Sequence, residues 1–238
     1  MKGRTDILET RGGFFSRLAL RPLPKLFSGF GERWVTDTLA YKIYPGCAYI
    51  DTAVDALLEL TGGRPIPECD IDIRATVLTW GMERACAPYR DAAPLSPTAV
   101  NFSVKLSAAI AAMSGRLTPA DLDPAFLAKN EPEIRARAAR IRLHHDAAMT
   151  ARMVHKVAPV AFSGRWEDLT MPFATEVRAG GLRVLQEIPK GAPGRPFDET
   201  ERLVLDKLAR ETPAAAHIAQ ILADPEAGAR SVTEATEG

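Results

Sequence analysis

Apolar patterns of two different periods share this chain and restrict it to folds that combine helices with a sheet. Apolar and polar side chains alternate over residues 71–77, which is typical of a strand with one buried face. A second alternating stretch, residues 175–188, is interrupted by Gly180-Gly181, and this pair favours the type I′ turn of a β-hairpin. Helical spacing occurs over residues 52–61, where Gly62-Gly63 follows as a stop signal. The predicted fold class is α+β.

The remaining segments are predicted to be mainly helical, with a loop where prolines accumulate. Further helices are expected at residues 98–113, 133–139, 198–210 and 214–222, with a short one opened by Thr118-Pro119. Extended structure is expected at residues 41–45 and 140–144, and a loop at residues 87–97. Either Asp51 or Thr52 is expected to cap the helix at 52–61.

The charge balance argues against two classes of partner. The 238 residues include 30 basic and 30 acidic side chains, whereas a binder of nucleic acid or anionic membrane normally shows a basic excess. The longest uncharged apolar stretch is far shorter than the roughly 20 residues of a membrane helix, and charges interrupt the start where a signal peptide would lie. Three cysteines without a CxxC pair suit a reducing compartment. We therefore expect a cytoplasmic protein that binds neither nucleic acid nor membrane.

Motifs of the common cofactor and metal enzymes are missing from the sequence. The chain contains no GxGxxG, P-loop, GxSxG or HExxH pattern. His144-His145-Asp146 resembles a metal cluster, but neighbouring side chains of a strand point to opposite faces, so the two imidazoles are not expected to share an ion. The basic run over residues 135–142 is interpreted as a solvated face, because two glutamates precede it. No metal and no cofactor are expected.

The strongest local arrangement surrounds Lys42. Tyr41 and Tyr44 flank it in a segment that ends at Pro45-Gly46, directly before the predicted helix. An ammonium group beside the free backbone N–H groups of a helix N-terminus is able to gather an anion. The same residues also fit an ordinary strand–turn–helix, in which Asp51 is simply a cap. From the residues alone both interpretations stay open.

Short motifs then follow one another in a fixed order along most of the chain. Residues 31–34 read GERW, residues 42–47 read KIYPGC, residues 53–56 read AVDA, and NFS at 101–103 leads through an alanine-rich stretch to GRLT at 115–118. His145-Asp146 and the segment IPKG at 188–191 continue the series, which ends near Lys207. In this order the motifs resemble those of the MmgE/PrpD family, which includes 2-methylcitrate dehydratase, cis-aconitate decarboxylase and iminodisuccinate epimerase.

The resemblance implies a helical domain and a smaller α+β lid domain, with a metal-free active site for small di- and tricarboxylic acids between them. By this resemblance residues 41–152 form the lid and residues 1–40 pack on the helical domain. Residues 153–238 would complete that domain with a hairpin and helices. Lys42 falls on the active-site lysine of the family's fKpYP motif, where it would bind a substrate carboxylate or stabilise an enolate-like state.

Eight residues are predicted to form the site. The catalytic groups are expected to be Lys42, Asp51 and Tyr89, where Tyr89 matches the tyrosine that family lids point into the site. The substrate-binding residues are expected to be Tyr44, Cys47, Tyr49, Ser103 and Lys105.

Three of the motif positions depart from the family pattern. Asp51 stands where the family has a histidine, Lys105 where it has a proline, and Asn101 where it has a basic residue. The carboxylate of Asp51 removes a proton donor near neutral pH and places negative charge beside an acidic substrate.

Family proteins are considerably longer, and their N-terminal half carries most of the helical domain and the catalytic aspartate and histidine. We therefore expect this chain to be the C-terminal subunit of a split lyase or isomerase. A separate polypeptide would supply the other half in a hetero-oligomer such as a dimer of heterodimers. Five aromatic residues before position 40 would otherwise lack a surface to pack on. The alternative is a non-catalytic relic or regulatory partner. Dehydration, decarboxylation, epimerisation and cyclisation all stay open as the reaction.

Overall fold

The computed structural model describes residues 39–163, 165, 168–211 and 217. This part contains seven α-helices, one short 3-10 helix and four strands. The helices are α1 (Ala48–Thr61), α2 (Val77–Arg90), α3 (Pro97–Phe102), α4 (Val104–Ser114), α5 (Pro124–Ala139), α6 (Ala147–Ser163) and α7 (Phe197–Glu211), with the 3-10 helix at Pro119–Leu122. The strands are β1 (Ile71–Ala75), β2 (Ile141–His145), β3 (Thr175–Ala179) and β4 (Leu182–Gln186). The helix predicted at 214–222 and the aromatic residues before position 39 lie outside the described residues, except for His217, which is helical. The predicted α+β class is confirmed.

The four strands form one mixed sheet in the order β2-β1-β3-β4. β1 runs parallel to β2 and antiparallel to β3, and β3 pairs with β4 as an antiparallel hairpin. Both glycines of the hairpin turn have positive φ, 57° at Gly180 and 82° at Gly181, as the predicted type I′ turn requires. The predicted hairpin is therefore confirmed.

The buried face of the sheet follows the alternation seen in the sequence. Ile71, Ile73 and Ala75 are almost fully buried, while Arg74 is exposed. Val177 lies opposite Ile73 on the neighbouring strand and is also fully buried. The period of two thus directs one row of β1 into the core and the other to the outer face.

Helix α4 lies at the centre of the core. It is buried almost all round, which is the expected position for a helix that is apolar on every side. α1 and α5 pack on either side of it, and α1 also packs against β3 and β4. The largest fully buried side chains include Leu57, Leu106, Ile110 and Leu127. No helix in the described ranges has the length and hydrophobicity needed to cross a bilayer.

Helix α1 begins earlier than the sequence predicts. Its first residue is Ala48, and Cys47 is the extended N-cap residue without a side-chain capping bond. Asp51 and Thr52 lie inside the helix, so the prediction that one of them caps it is wrong. Residues 41–45 form bends and no strand of the sheet. The chain bends at Gly46, shortly before α1 begins. There φ is 111°, and a Cβ would lie 2.9 Å from the Asn101 carbonyl oxygen.

Two further predictions about helices are wrong. The predicted loop at 87–97 begins only after Arg90, because α2 continues through Pro88 in its last turn. The single helix predicted over 98–113 is two helices, α3 and α4, separated at Ser103 with φ −100° and ψ 116°. The hydroxyl of Ser103 accepts a hydrogen bond from the Leu106 N–H and so caps α4.

The predicted boundary at residue 152 does not divide the sheet. Strands β3 and β4 come from the later segment, yet β3 pairs along its whole length with β1 of the earlier one. The hairpin therefore belongs to the same sheet as β1 and β2. The assignment of residues 1–40 and of the C-terminal helices to a helical domain stays a prediction.

Candidate functional site

The segment around Lys42 is held in place from three sides. The Tyr41 N–H donates to the Gly191 carbonyl oxygen at 2.8 Å, and the Lys207 ammonium donates to the Lys42 carbonyl oxygen at 3.1 Å. Farther along, the Cys47 N–H donates to the Asn101 carbonyl oxygen at 2.8 Å. These backbone contacts bring residues 41–47, α3, α7 and the loop after β4 to the start of α1.

Lys42 and Asp51 form a close ion pair. The Lys42 Nζ lies 2.6 Å from both carboxylate oxygens of Asp51. The Lys42 side chain is 38% exposed, whereas that of Asp51 is only 6% exposed. Burial raises the pKa of Asp51 to about 7, and the nearby Lys42 ammonium offsets only part of this effect. The pair thus places a carboxyl of raised pKa and a cation next to each other, with the cation partly exposed.

A second carboxylate lies one helical turn farther along α1. Asp55 is fully buried, accepts the Tyr44 hydroxyl at 2.7 Å, and accepts the Lys190 N–H at 2.9 Å. Burial raises the pKa of Asp55, and burial together with Asp55 raises the pKa of Tyr44, so the phenol keeps its proton. The network joins the 41–47 segment to α1 and to the loop after β4, which positions Lys42.

Cys47 and Tyr49, both predicted to bind substrate, lie at the N-terminus of α1 and are half-buried. The ring of Tyr49 makes an edge contact with Phe173 at 5.2 Å between centroids. Its carbonyl oxygen accepts the Thr79 hydroxyl at 2.9 Å. The structure therefore brings five predicted residues together around the first turns of α1: Lys42, Tyr44, Cys47, Tyr49 and Asp51.

The other three predicted residues lie around α2 and the start of α4. Tyr89 belongs to the last turn of α2, is 67% exposed, and lines an apolar groove of about 210 Å³ with Phe102 and Cys86. Ser103 is fully buried, and Lys105 is half-buried in the first turn of α4. No hydrogen bond or ion pair in the described ranges joins these three residues to Lys42. The Cys47–Asn101 contact and the hydrogen bond from Thr79 of α2 to Tyr49 connect the elements that carry the two groups.

The hydroxyl of Ser103 is hydrogen-bonded to the buried carboxylate of Glu83, a residue that was not predicted from the sequence. Glu83 is 4% exposed and accepts the Ser103 hydroxyl at 3.1 Å, the Lys105 N–H at 3.2 Å and the Arg90 guanidinium at 2.7 Å. These bonds fasten α2 to the N-terminus of α4, where a negative charge is favourable. Ser103 thus has a structural position and no exposed surface for a substrate, in contrast to its predicted role.

Asp55, Lys190 and Lys207 were not predicted as site residues. A signal for Asp55 was present, because Asp51 and Asp55 are four residues apart and share a helix face. Lys190 and Lys207 fall within the motif segments 188–191 and near 207, but nothing local indicated their partners. A groove of about 850 Å³ borders Tyr44 and Lys190, with Arg210 of α7 on its rim; Lys42 and Asp51 are not among its lining residues.

The two adjacent histidines have different neighbours. The His144 ring faces Asp72 at 3.4 Å on the outer face of the sheet, while His145 packs against Trp80 at 5.7 Å between centroids. No group of three or more potential metal-ligating side chains was found in the part of the chain that the structure describes. The arginines of residues 135–142 pair with acidic residues, as expected for a solvated face.

Comparison with known proteins identifies the family. A search of curated proteins finds no match. A scan against protein-family sequence models matches residues 44–220 to the MmgE/PrpD C-terminal domain. This match covers most of the chain and includes the α1 residues around Asp51, all four strands and α7. The chain therefore belongs to the MmgE/PrpD family and carries its C-terminal domain.

Proposed function

We propose that this chain forms the lid side of a site for acid/base chemistry on a small di- or tricarboxylic acid, and that a second polypeptide supplies the remaining groups. Members of the MmgE/PrpD family are generally lyases or dehydratases. One observation carries the proposal: the Lys42–Asp51 pair lies at the N-terminus of α1, with a half-exposed ammonium and a carboxyl whose pKa is raised to about 7.

The chemistry of a lyase acting next to a carboxylate needs such groups. Removing a proton beside a carboxylate develops negative charge on its oxygens, which a nearby cation and a helix N-terminus stabilise. A carboxyl with a pKa near neutrality is able both to accept and to donate a proton at physiological pH. Lys42 would hold the substrate carboxylate, and Asp51 would exchange a proton with the substrate.

Support for a second polypeptide comes from exposed apolar surface. On α6, the side chains of Val154 and Phe162 are 53% and 89% exposed, although Met149, Met153 and Val160 of the same helix are buried. Val154 and Phe162 are eight residues apart and so lie on one face of the helix, and an exposed apolar face of this kind is typical of an interface. In the proposed complex the helical half of the family fold would cover this face and complete the site.

A second function is favoured by the same ion pair. The Lys42 ammonium lies 2.6 Å from both oxygens of Asp51. A substrate carboxylate would therefore bind Lys42 only by displacing the carboxylate of Asp51. A non-catalytic relic or a regulatory partner would tolerate such a closed pair. The position of Asp51, where the family has histidine, is consistent with this alternative.

Activity of the reconstituted complex tests the proposal. The chain would be co-expressed with the product of a neighbouring reading frame that encodes the N-terminal half, and assayed with 2-methylcitrate and cis-aconitate. Lys42→Ala should lower kcat/KM by about 100-fold or more, since removing a positioned charge typically has an effect of this size. Lys156→Ala is the matched control, because among the described residues this lysine has only a long ion pair, at 4.0 Å, with the exposed Glu187. A change of less than threefold for Lys42→Ala would remove Lys42 from the site.

Substitutions at Asp51 separate the two functions. If Asp51 transfers a proton, Asp51→Asn lowers kcat by about 100-fold or more, within the range of general acid/base catalysis. If the closed pair marks a relic, the native complex is inactive and Asp51→His, which restores the family residue, is the variant expected to gain turnover. An active native complex that is unaffected by Asp51→Asn would contradict the proton-transfer role.

A further inference from the structure

The outer face of the sheet carries two rows of charged side chains. The strand register places them side by side across the four strands. The first row is Arg142, Asp72, Arg178 and Arg183, and the second row is His144, Arg74, Glu176 and Leu185. Four arginines therefore share this face with two carboxylates.

Both carboxylates of this face already have partners on the same face. Asp72 accepts two hydrogen bonds from Arg142 at 2.9 Å and lies 3.4 Å from His144. Glu176 pairs with Arg178 at 2.7 Å and with Arg183 at 2.8 Å. The hydrogen bonds from Arg142 lower the pKa of Asp72 to about 2, so its charge is fully matched.

The remaining arginine of this face is Arg74. It is exposed at the middle of the face and, among the described residues, has no carboxylate within 4.0 Å. A depression of about 460 Å³ opens beside it, lined by Arg74, Arg178, His144, His145, Asp72 and Asp146. This volume lies within the range of about 300–1,000 Å³ that is usual for small-molecule sites.

We propose that this depression binds a phosphate group, either free or carried by a small organic molecule, with Arg74 and Arg178 as the principal ligands. A planar guanidinium donates two parallel hydrogen bonds to a phosphate, which a lysine cannot do. His144, in register with Arg74 on the neighbouring strand, adds a third donor. This site lies on the outer face of the sheet and does not depend on the chemistry proposed at Lys42.

The two acidic residues that border the depression should repel an anion only weakly, because both carboxylates are already bonded to other groups. The charge of Asp72 is taken up by Arg142. The Asp146 carboxylate accepts the Met149 N–H at 2.9 Å, and so caps the N-terminus of α6. The surplus positive charge therefore belongs to Arg74 and to Arg178, whose partner Glu176 is shared with Arg183.

Titration of the full-length protein by calorimetry and ³¹P NMR tests this site. Inorganic phosphate, glycerol 3-phosphate and succinate are the probes, compared at constant ionic strength. Binding of a phosphate probe in the millimolar range or tighter is expected, with Arg74→Ala weakening it at least tenfold. The Arg74 side chain makes no hydrogen bond to any residue that the structure describes, so this variant should fold normally. Arg152→Ala is the matched control, because it removes the same charge from an exposed position on α6 that does not line the depression.

The probes distinguish the source of the phosphate group. Tighter binding of glycerol 3-phosphate indicates an organic phosphate, and equal binding indicates that the phosphate group alone is recognised; either result supports the site. The proposal is overturned if no phosphate probe binds below 10 mM, or if succinate binds as tightly as phosphate. Equal weakening by Arg74→Ala and Arg152→Ala would also overturn it, since a diffuse positive surface would then explain the binding.

Discussion

Replacing Asp51 by asparagine should make the protein more stable at neutral and alkaline pH. Burial raises the pKa of this carboxyl from 3.8 in a model compound to about 7 in the folded protein. Between these two values the unfolded chain has already released a proton that the folded protein keeps. The folded state therefore loses stability as the pH rises, and the loss is complete above about pH 7. Asparagine has no proton to lose and removes this dependence.

The size of the effect follows from the pKa. Each pKa unit corresponds to about 1.4 kcal/mol, and because Asp51 is half-titrated at pH 7, the native protein should lose about 2 kcal/mol through this residue between pH 5 and pH 7. In the variant the ammonium of Lys42 loses its partner, but a side chain that is 38% exposed is able to be hydrated. The difference in stability between variant and native protein should therefore shift by about 2 kcal/mol in favour of the variant over this range.

Urea unfolding at pH 5, 6, 7 and 8 measures this shift. Asp206→Asn serves as the control, because Asp206 is exposed on α7 and its substitution should change the free energy of unfolding by no more than about 0.5 kcal/mol at any pH. Parallel profiles of native protein and Asp51→Asn would refute the reasoning. So would a variant that is less stable at pH 8 than at pH 5 relative to the native protein, because the ion pair with Lys42 would then outweigh the cost of burial.

Two further predictions concern a glycine and a cysteine. Gly191→Ala should destabilise the protein by at least about 1 kcal/mol more than Gly181→Ala, because both residues have positive φ but only at Gly191 would the new Cβ collide with the Tyr41 carbonyl oxygen; equal losses in urea unfolding would contradict this packing. Cys86 should react slowly with a thiol reagent in the native protein at pH 8, because burial and Glu83 raise its thiol pKa to about 11. Rapid labelling that disappears in Cys86→Ser would show that the thiol is accessible and ionised.

The local elements that the sequence predicted are those with strong stop or turn signals. The alternation in β1 and the Gly180-Gly181 turn were sufficient because each is encoded within a few residues. Gly62, with φ 63°, ends α1 where the glycine pair was expected to close it. These features require no knowledge of distant partners.

The elements that were missed depend on tertiary contacts. Cys47 is not a preferred helix cap, so the early start of α1 is determined by the contact between Cys47 and Asn101, 54 positions along the chain. The break at Ser103 is supported by Glu83, whose carboxylate accepts the hydroxyl from another helix. Neither partner is recognisable from the local pattern. The order of the strands is also invisible there, since β3 follows β1 by about a hundred residues.

The long sequence separation between contacting residues also limited the prediction of the candidate site. The motif around Lys42 indicated a segment whose side chains the structure places near the N-terminus of α1, where Lys42 pairs with Asp51. Tyr89, Ser103 and Lys105 were predicted from their motif positions, but the helix through Arg90 and the buried Glu83 direct them elsewhere. The order of the motifs thus identified the family, but it did not predict which of the motif side chains lie together.

The central place of β1 in the sheet has a consequence for the order of folding. Its two edges are filled by strands that are synthesised much later, β2 from residue 141 and β3 from residue 175. During synthesis on the ribosome, both rows of backbone groups of β1 are therefore paired only after most of the described chain has been made. Sheets closed by such distant segments form slowly, and a polypeptide cut before residue 175 would present an open strand edge to other molecules, which invites aggregation.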